Sequence, residues 1–280
     1  MKLKMYCLLV ALGAFALTMQ SCDDDDKGIA VPAELANALA DKYPEVKNAK
    51  WETKGTYYVA DFYKDNYETS AWFTPEGVWQ MTETDIPYNA LPAAVKSAFK
   101  SSKYADWHVD DVDKLERQGM ETVYVIEVEQ GKQEFDLYYT EEGILANEKE
   151  DTDGDDNSGD YLPSDLSSGI KKFIADKYPD ARIVEIDTER NGMIEVDIVH
   201  RNIGKDVLFK ADGSWVSTSW DIRISELPQA AQSAVKAKYP DYRIDDVEYV
   251  ETPDGDYYWV EVERGEAEVK VKVTAEGVIL

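Results

Sequence analysis

Residues 31–46 read VPAELANALADKYPEV, and residues 57–79 read YYVADFYKDNYETSAWFTPEGVW. The first stretch predicts a helix. Val31-Pro32 opens it, where a proline's missing N–H costs nothing, and Lys42-Tyr43-Pro44 closes it. Leu35, Leu39 and Tyr43 fall on one face between those limits. The second stretch predicts paired strands. Its side chains alternate with period two, and Thr74-Pro75-Glu76-Gly77 supplies a turn glycine for positive φ.

The same order recurs three times. Further units start at Leu91-Pro92, Leu162-Pro163 and Leu227-Pro228, and their helices run to Lys103-Tyr104-Ala105, Lys177-Tyr178-Pro179 and Lys238-Tyr239-Pro240. The matching strands are Val123 to Glu129, Met193 to Val199, and Tyr257 to Glu263. The matching turns are Thr140–Gly143, Lys210–Gly213 and Thr274–Gly277. Each unit is one helix followed by about four antiparallel strands, which makes the fold class α+β. Residues 148–160 (EKEDTDGDDNSGD) are polar and acidic and read as a linker. The expected division is two domains of two repeats: 31–147, with repeats 31–88 and 91–147, and 161–280, with repeats 162–226 and 227–280.

Strand alternation separates two faces. Tyr58, Ala60 and Phe62, with Tyr124, Ile126 and Val128, then Ile194, Val196 and Ile198, then Tyr258, Val260 and Val262, are apolar and should pack under the helices. The other face receives Tyr57, Tyr257 and Trp259, and one acid per unit at an equivalent position: Asp61, Glu127, Asp197 and Glu261. On the next strand it receives Trp72, Tyr138, Leu208 and Lys272. Aromatics set among acids on an uncovered sheet face form a plausible contact surface. The same residues also serve as ordinary cross-strand pairs.

The helix ending in Lys-Tyr-Pro, the strand pair and the Glu-Gly turn resemble the PepSY-like, beta-lactamase-inhibitor-like family of secreted Bacteroidetes proteins. The resemblance runs from Val31 to Leu280. It implies that paired units join their strands into one antiparallel sheet, with helices on one face and an open, concave face opposite. It also implies a protein- or peptide-binding, inhibitory type of module without catalysis. Beta-lactamase inhibitors of this fold use disulfides, which the mature chain lacks, so inhibition of that enzyme is not carried over.

The N-terminus sets the compartment. Lys2 and Lys4 precede an apolar run from Tyr6 to Met19, which has the length of a signal-peptide core and is short for a membrane span. Residues 1–21 read as a lipoprotein signal and Cys22 as the lipidated residue, with Met19 where leucine is usual. Residues 22–30 then form an acidic tether, and Asp23–Asp26 resembles a surface-export signal. The expected location is the outer membrane, at the cell surface in preference to the periplasmic side, with membrane contact through the lipid alone. Cys7 lies in the signal, so no mature thiol is left for a disulfide, a thiolate ligand or a nucleophile.

Net charge is −27. Acids outnumber bases by 22 to 11 in residues 28–147 and by 24 to 15 in residues 161–280, so the acidity is general. Such a surface argues against nucleic acid, whose phosphates demand basic partners. It favours cationic partners or weak divalent cations. His108 and His200 fall in different halves, and no Ser-His-Asp set, HExxH or P-loop occurs. No enzyme and no cofactor are expected. Asp151, Asp153 and Asp155 have the alternate spacing of a calcium loop, but Asp156 stands where its glycine belongs. A calcium-responsive or structural envelope protein is therefore the alternative to a binding module.

Overall fold

A computed structural model describes residues 29–151, 161–188 and 191–280. Cys22, residues 23–28 of the acidic tether, Asp153 and Asp155 lie outside those residues. The four units are α1 (Ala33–Lys42) with β1 (Lys50–Lys54), β2 (Tyr57–Lys64), β3 (Tyr67–Phe73) and β4 (Trp79–Asp85); α2 (Ala93–Phe99) with β5 (His108–Arg117), β6 (Val123–Gln130), β7 (Gln133–Thr140) and β8 (Leu145–Asp151); α3 (Ser168–Lys177) with β9 (Arg182–Thr188), β10 (Ile194–His200), β11 (Ile203–Phe209) and β12 (Trp215–Asp221); and α4 (Gln229–Lys238) with β13 (Arg243–Glu251), β14 (Tyr257–Arg264) and β15 (Ala267–Val273). Two units make each domain. The first sheet runs β1 to β8 in order and the second β9 to β15, every neighbouring pair antiparallel.

Helices pack on one face of each sheet. Leu35, Leu39 and Tyr43 meet Ala60, Phe62 and Phe73; Val95 and Phe99 meet Ile126, Val128 and Leu137. Ile170 and Ile174 meet Val196, Ile198 and Phe209; Ala231 and Val235 meet Val260, Val262 and Val271. The expected helix-facing alternation holds in all four units.

The Lys-Tyr-Pro ends have a physical purpose. In the first unit the Tyr43 hydroxyl reaches Thr82 Oγ1 at 2.5 Å, Trp79 Nε1 donates to that same oxygen at 2.8 Å, and Lys42 Nζ stands 3.3 Å from the Trp79 ring centroid. The third unit repeats this with Trp215 Nε1 on Thr218 Oγ1 at 3.0 Å and Lys177 over the Trp215 ring. One tripeptide thus ends the helix and locks it to the unit's fourth strand by hydrogen bond and cation–π contact. The turn glycines complete the fit. Gly143 and Gly277 have φ near +80°, and a Cβ there would lie 2.6 Å from the Ala94 carbonyl oxygen and 2.7 Å from that of Ala230. The turn therefore seats directly on the first turn of the helix, which only glycine permits.

Two boundaries differ from expectation. β8 continues to Asp151, so Glu148–Asp151 is strand and belongs to the first sheet. α3 begins after Ser167, whose Oγ accepts from the Ile170 N–H, and not at Leu162-Pro163. Leu166 takes the core position that Leu91 and Leu227 hold in their units. Leu162 is thereby released to pack elsewhere, with Tyr161, against Val59, Trp72 and Met81.

The two domains meet through their helix-free faces. Leu115, Val123, Val125, Tyr138 and Ala146 of the second unit form one apolar cluster with Val184 and Val199 of the third. β8 lies across β9, β10 and β11, and a Cβ on Gly204 would come within 2.7 Å of the Leu145 carbonyl oxygen. At the centre Arg117 donates to Glu185 at 2.5 Å and to the Val184 carbonyl oxygen at 2.6 Å, with both charged side chains almost fully buried. The Glu121 N–H donates to the Ile183 carbonyl, and Arg182 pairs with Glu121 and Glu142. Replacing one member of a buried ion pair strands the other, at a cost of about 3–5 kcal/mol. Arg117→Met should lose stability of that order in urea denaturation, and the Arg117→Met, Glu185→Leu double variant should recover most of it. A double variant no more stable than the single one would contradict this account of the seam.

Candidate binding face

Each unit presents the same positions on its helix-free face, and the structure gives them different surroundings. In the first unit Trp72 is 1% exposed, covered by Tyr57, Tyr161 and Leu162. In the second, Tyr138 is 2% exposed within the seam, edge-on to Tyr161. In the third, Asp197 is 1% exposed and accepts from Asn147 Nδ2 of β8 at 2.5 Å. These three do not face solvent as alternation alone implied, because the other domain and the Tyr161–Leu162 segment cover them. Tyr57, Asp61 and Glu127 are half-buried, Tyr57 packing beside Trp72 and Asp61 accepting from Ser70 Oγ at 2.8 Å.

The fourth unit is different. Tyr257, Trp259 and Glu261 on β14 are half-buried, as Tyr57, Asp61 and Glu127 are, but the domain seam does not reach them and none of the three is closed over as Trp72, Tyr138 and Asp197 are. Opposite them on β15 stand Lys272, in register with Trp259, and Lys270, in register with Glu261. Lys272 Nζ sits 3.7 Å from the Tyr257 ring centroid, and Lys270 pairs with Glu248 at 3.3 Å. Tyr257 and Trp259 meet edge to face at 5.8 Å. The face continues into a groove of about 740 Å³ lined by Lys210, Trp215, Asp254, Asp256, Tyr257 and Lys272. Of the nine positions expected to form one contact surface, Tyr257, Trp259 and Glu261 stay together on an accessible patch. Lys272 was expected on this face from alternation along the next strand, and Lys270 and Lys210 are additions. Their signal was local: cations are scarce in so acidic a chain, and the sequence Lys-Val-Lys-Val puts two on one face.

The third unit's face is an acid cluster closed by the seam. Asp197 and Asp206 are opposite each other in the ladder. Burial first, then Asp206, Glu195, Glu185 and Asp187, hold the Asp197 carboxyl well above the usual carboxylate range. Burial first, then Glu195, Glu248 and Asp221, push Asp206 up to about 7. Asp197 is buried and Asp206 half-buried, and two carboxylates facing each other across the ladder disfavour ionisation of both. Among the described residues no group of three or more His, Cys, Asp or Glu has the arrangement to hold a metal ion, and none of the helices there is long and apolar enough to cross a membrane.

Together, fold and face define a two-domain repeat protein that gives one sheet face to its helices and packs much of the other against the chain itself. The chain belongs to the beta-lactamase-inhibitor-like, PepSY-like family, whose pattern matches residues 56–147 and 194–280. Each matched stretch starts at or near the second strand of its domain, and the repeats seen in the sequence extend beyond it on the N-terminal side. Among solved structures it is similar to a BLIP-like protein from Bacteroides fragilis, with 44% identity over 48% of this chain and 96% of that one and a TM-score of 0.45. It is also similar to a DUF2874 family protein from Bacteroides ovatus, with 31% identity over 47% and 96% and a TM-score of 0.45. No curated protein matches the chain.

The buried acid pair sets a pH dependence. Its folded pKa is raised, so its contribution is fully present below the unfolded value of about 4 and is lost as pH rises through about 7. The urea midpoint should fall between about pH 5 and about pH 8. Asp206→Asn should flatten that slope and raise the midpoint at the alkaline end. An unchanged slope in the variant would show that the pair does not carry the effect.

Proposed function

We propose that the protein is a non-enzymatic module of the cell envelope that binds a protein or peptide partner through the helix-free face of its fourth unit. One observation carries this. Four equivalent faces exist; the first three are engaged by the chain itself, and the fourth leaves Tyr257 and Trp259 accessible beside Lys270 and Lys272. Tyrosine and tryptophan bury large areas with few rotatable bonds and are favoured as interface anchors. The covered faces pack against other parts of the same chain, which supports reading the fourth as a surface suited to protein. The family's beta-lactamase-inhibitor-like description supports binding over catalysis. The export signal ending at Cys22 supports an outer-membrane lipoprotein, displayed at the cell surface in keeping with Asp23–Asp26.

A photo-crosslinking residue placed at Trp259 in living cells tests the site. It should yield a discrete protein adduct, while the same residue at Lys236 on the exposed side of α4 should not. Trp259→Ala should leave the folding midpoint within about 1 kcal/mol of wild type, as surface changes do, and should weaken capture of that partner. Adducts from Lys236 and none from Trp259 would place the binding surface elsewhere.

A further inference from the structure

Tyr161 and Leu162 fit no repeat. Leu166 stands as far before Tyr178 as Val31 stands before Tyr43 and Leu227 before Tyr239, and it takes the matching place against its helix. Tyr161 and Leu162 therefore come ahead of the third unit. They lie across the helix-free face of the first unit, on Val59, Trp72 and Met81, with Tyr57 beside them. Tyr161 also meets Tyr138 edge-on, with ring centroids 6.4 Å apart. A short segment of chain is thus seated on a sheet face as a bound peptide would be. It is an imperfect fit. Trp72 is buried, yet its indole Nε1 has no hydrogen-bond partner. A buried donor left unpaired loses its bond to water and gains nothing in return. The contact from Arg117 Nη1 to the Tyr161 carbonyl oxygen is long, at 3.5 Å. Charge is mismatched as well. Burial first, then Asp136, Asp113, Glu83 and Glu127, push the Tyr161 hydroxyl far above the ordinary tyrosine range, so four carboxylates of the first sheet lie near it. Asp136 has Lys149 opposite it in β8, but the stretch that carries Tyr161 and Leu162, residues 150–170, contains no lysine or arginine. Tyr161 and Leu162 are themselves half-buried and can be reached from solvent.

We infer that the helix-free face of the first unit is a binding site for a segment of a partner protein that carries an aromatic–leucine pair beside lysine or arginine, and that Tyr161–Leu162 is an internal strap that holds the site until such a segment displaces it. The partner's pair takes the ground that Tyr161 and Leu162 fill now, on Val59, Trp72 and Met81. Its cation answers Glu83, Asp113, Glu127 and Asp136, which the strap's own stretch cannot do. Its backbone brings carbonyl oxygens, the acceptors that Trp72 Nε1 lacks under the strap. The strap lowers the partner's apparent affinity by the fraction of molecules in which it lies in place. The site belongs to the first unit, so it stands or falls apart from the face of the fourth.

The test uses the folded protein with both domains and three capped peptides: Lys-Tyr-Leu-Pro-Lys, the same peptide with glutamate for both lysines, and Lys-Ser-Ser-Pro-Lys. In the strap variant, Tyr161→Ser with Leu162→Ser, hydroxyl-radical footprinting should find Trp72 modified. The first peptide should bind that variant saturably in calorimetry and restore the protection of Trp72. Its affinity should be at least about tenfold above its affinity for the wild type, where the strap competes, and at least about tenfold above that of the glutamate peptide. The serine peptide should not bind. Trp72→Phe added to the strap variant removes the N–H and keeps a ring, and should weaken the first peptide severalfold. A folded strap variant that binds none of the peptides, equal binding of all three, or a Trp72 that stays protected without the strap would overturn the inference. So would a strap variant that dimerises in sedimentation and excludes the peptide, since the face would then serve a second copy. If the strap variant does not fold, the wild type decides. Millimolar first peptide should then release Tyr161 to modification while Trp72 stays protected, and an unchanged Tyr161 would overturn the inference. Crosslinking at Trp259 is an independent readout of the fourth unit, so the two sites can fail separately.

Discussion

A sheet with helices on one side has a second side to account for, and in this protein that constraint is met by packing sheet against sheet around the buried Arg117–Glu185 pair. The pair is not the main source of stability, because desolvating two charges costs several kcal/mol before their attraction repays it. Apolar burial by Leu115, Val125, Tyr138, Val184 and Val199 does that work. What the ion pair contributes is position. Arg117 also donates to the Val184 carbonyl, so only one placement of β9 beneath β5 satisfies the guanidinium. Burial raises the Glu185 carboxyl, and the Arg117 charge opposes that rise.

Once this seam is fixed, the four repeats cease to be equivalent. The same ladder position holds Asp61 under Ser70, Asp197 buried against Asp206, and Glu261 beside Lys270. The second strand carries Val125 where it is covered and Trp259 where it is not. Duplication therefore built a scaffold in which early units stabilise one another and the last is left to present aromatics and cations. The proposed function rests on that asymmetry more than on any residue common to all units.

Much of the fold was legible because its signals are local. Proline before the helix, tyrosine at its end, glycine in the turn and period-two strands each report a short-range steric or hydrogen-bonding demand. The phase of the third helix was not legible, since Leu162-Pro163 imitates the opening step while Leu166-Ser167 performs it. The site was half legible. Alternation says which side of a sheet a residue takes and nothing about what lies over that side. Trp72 and Trp259 read alike in sequence, and long-range contacts alone bury the first. Two hints were present: Val123, Val125 and Tyr138 make the second unit's outward row apolar, and Gly204 puts a residue without a side chain in β11 where β8 comes close.

The central claim is that three of the four equivalent faces are closed within the chain and one is open. Hydroxyl-radical footprinting of the intact, folded protein, read residue by residue by mass spectrometry, measures this directly. Tyr257 and Trp259 should be modified readily, while Trp72 and Tyr138 stay protected until the protein is unfolded. Comparable modification of Trp72 and Trp259 in the native state would contradict the closed seam and, with it, the assignment of the fourth unit as the binding face.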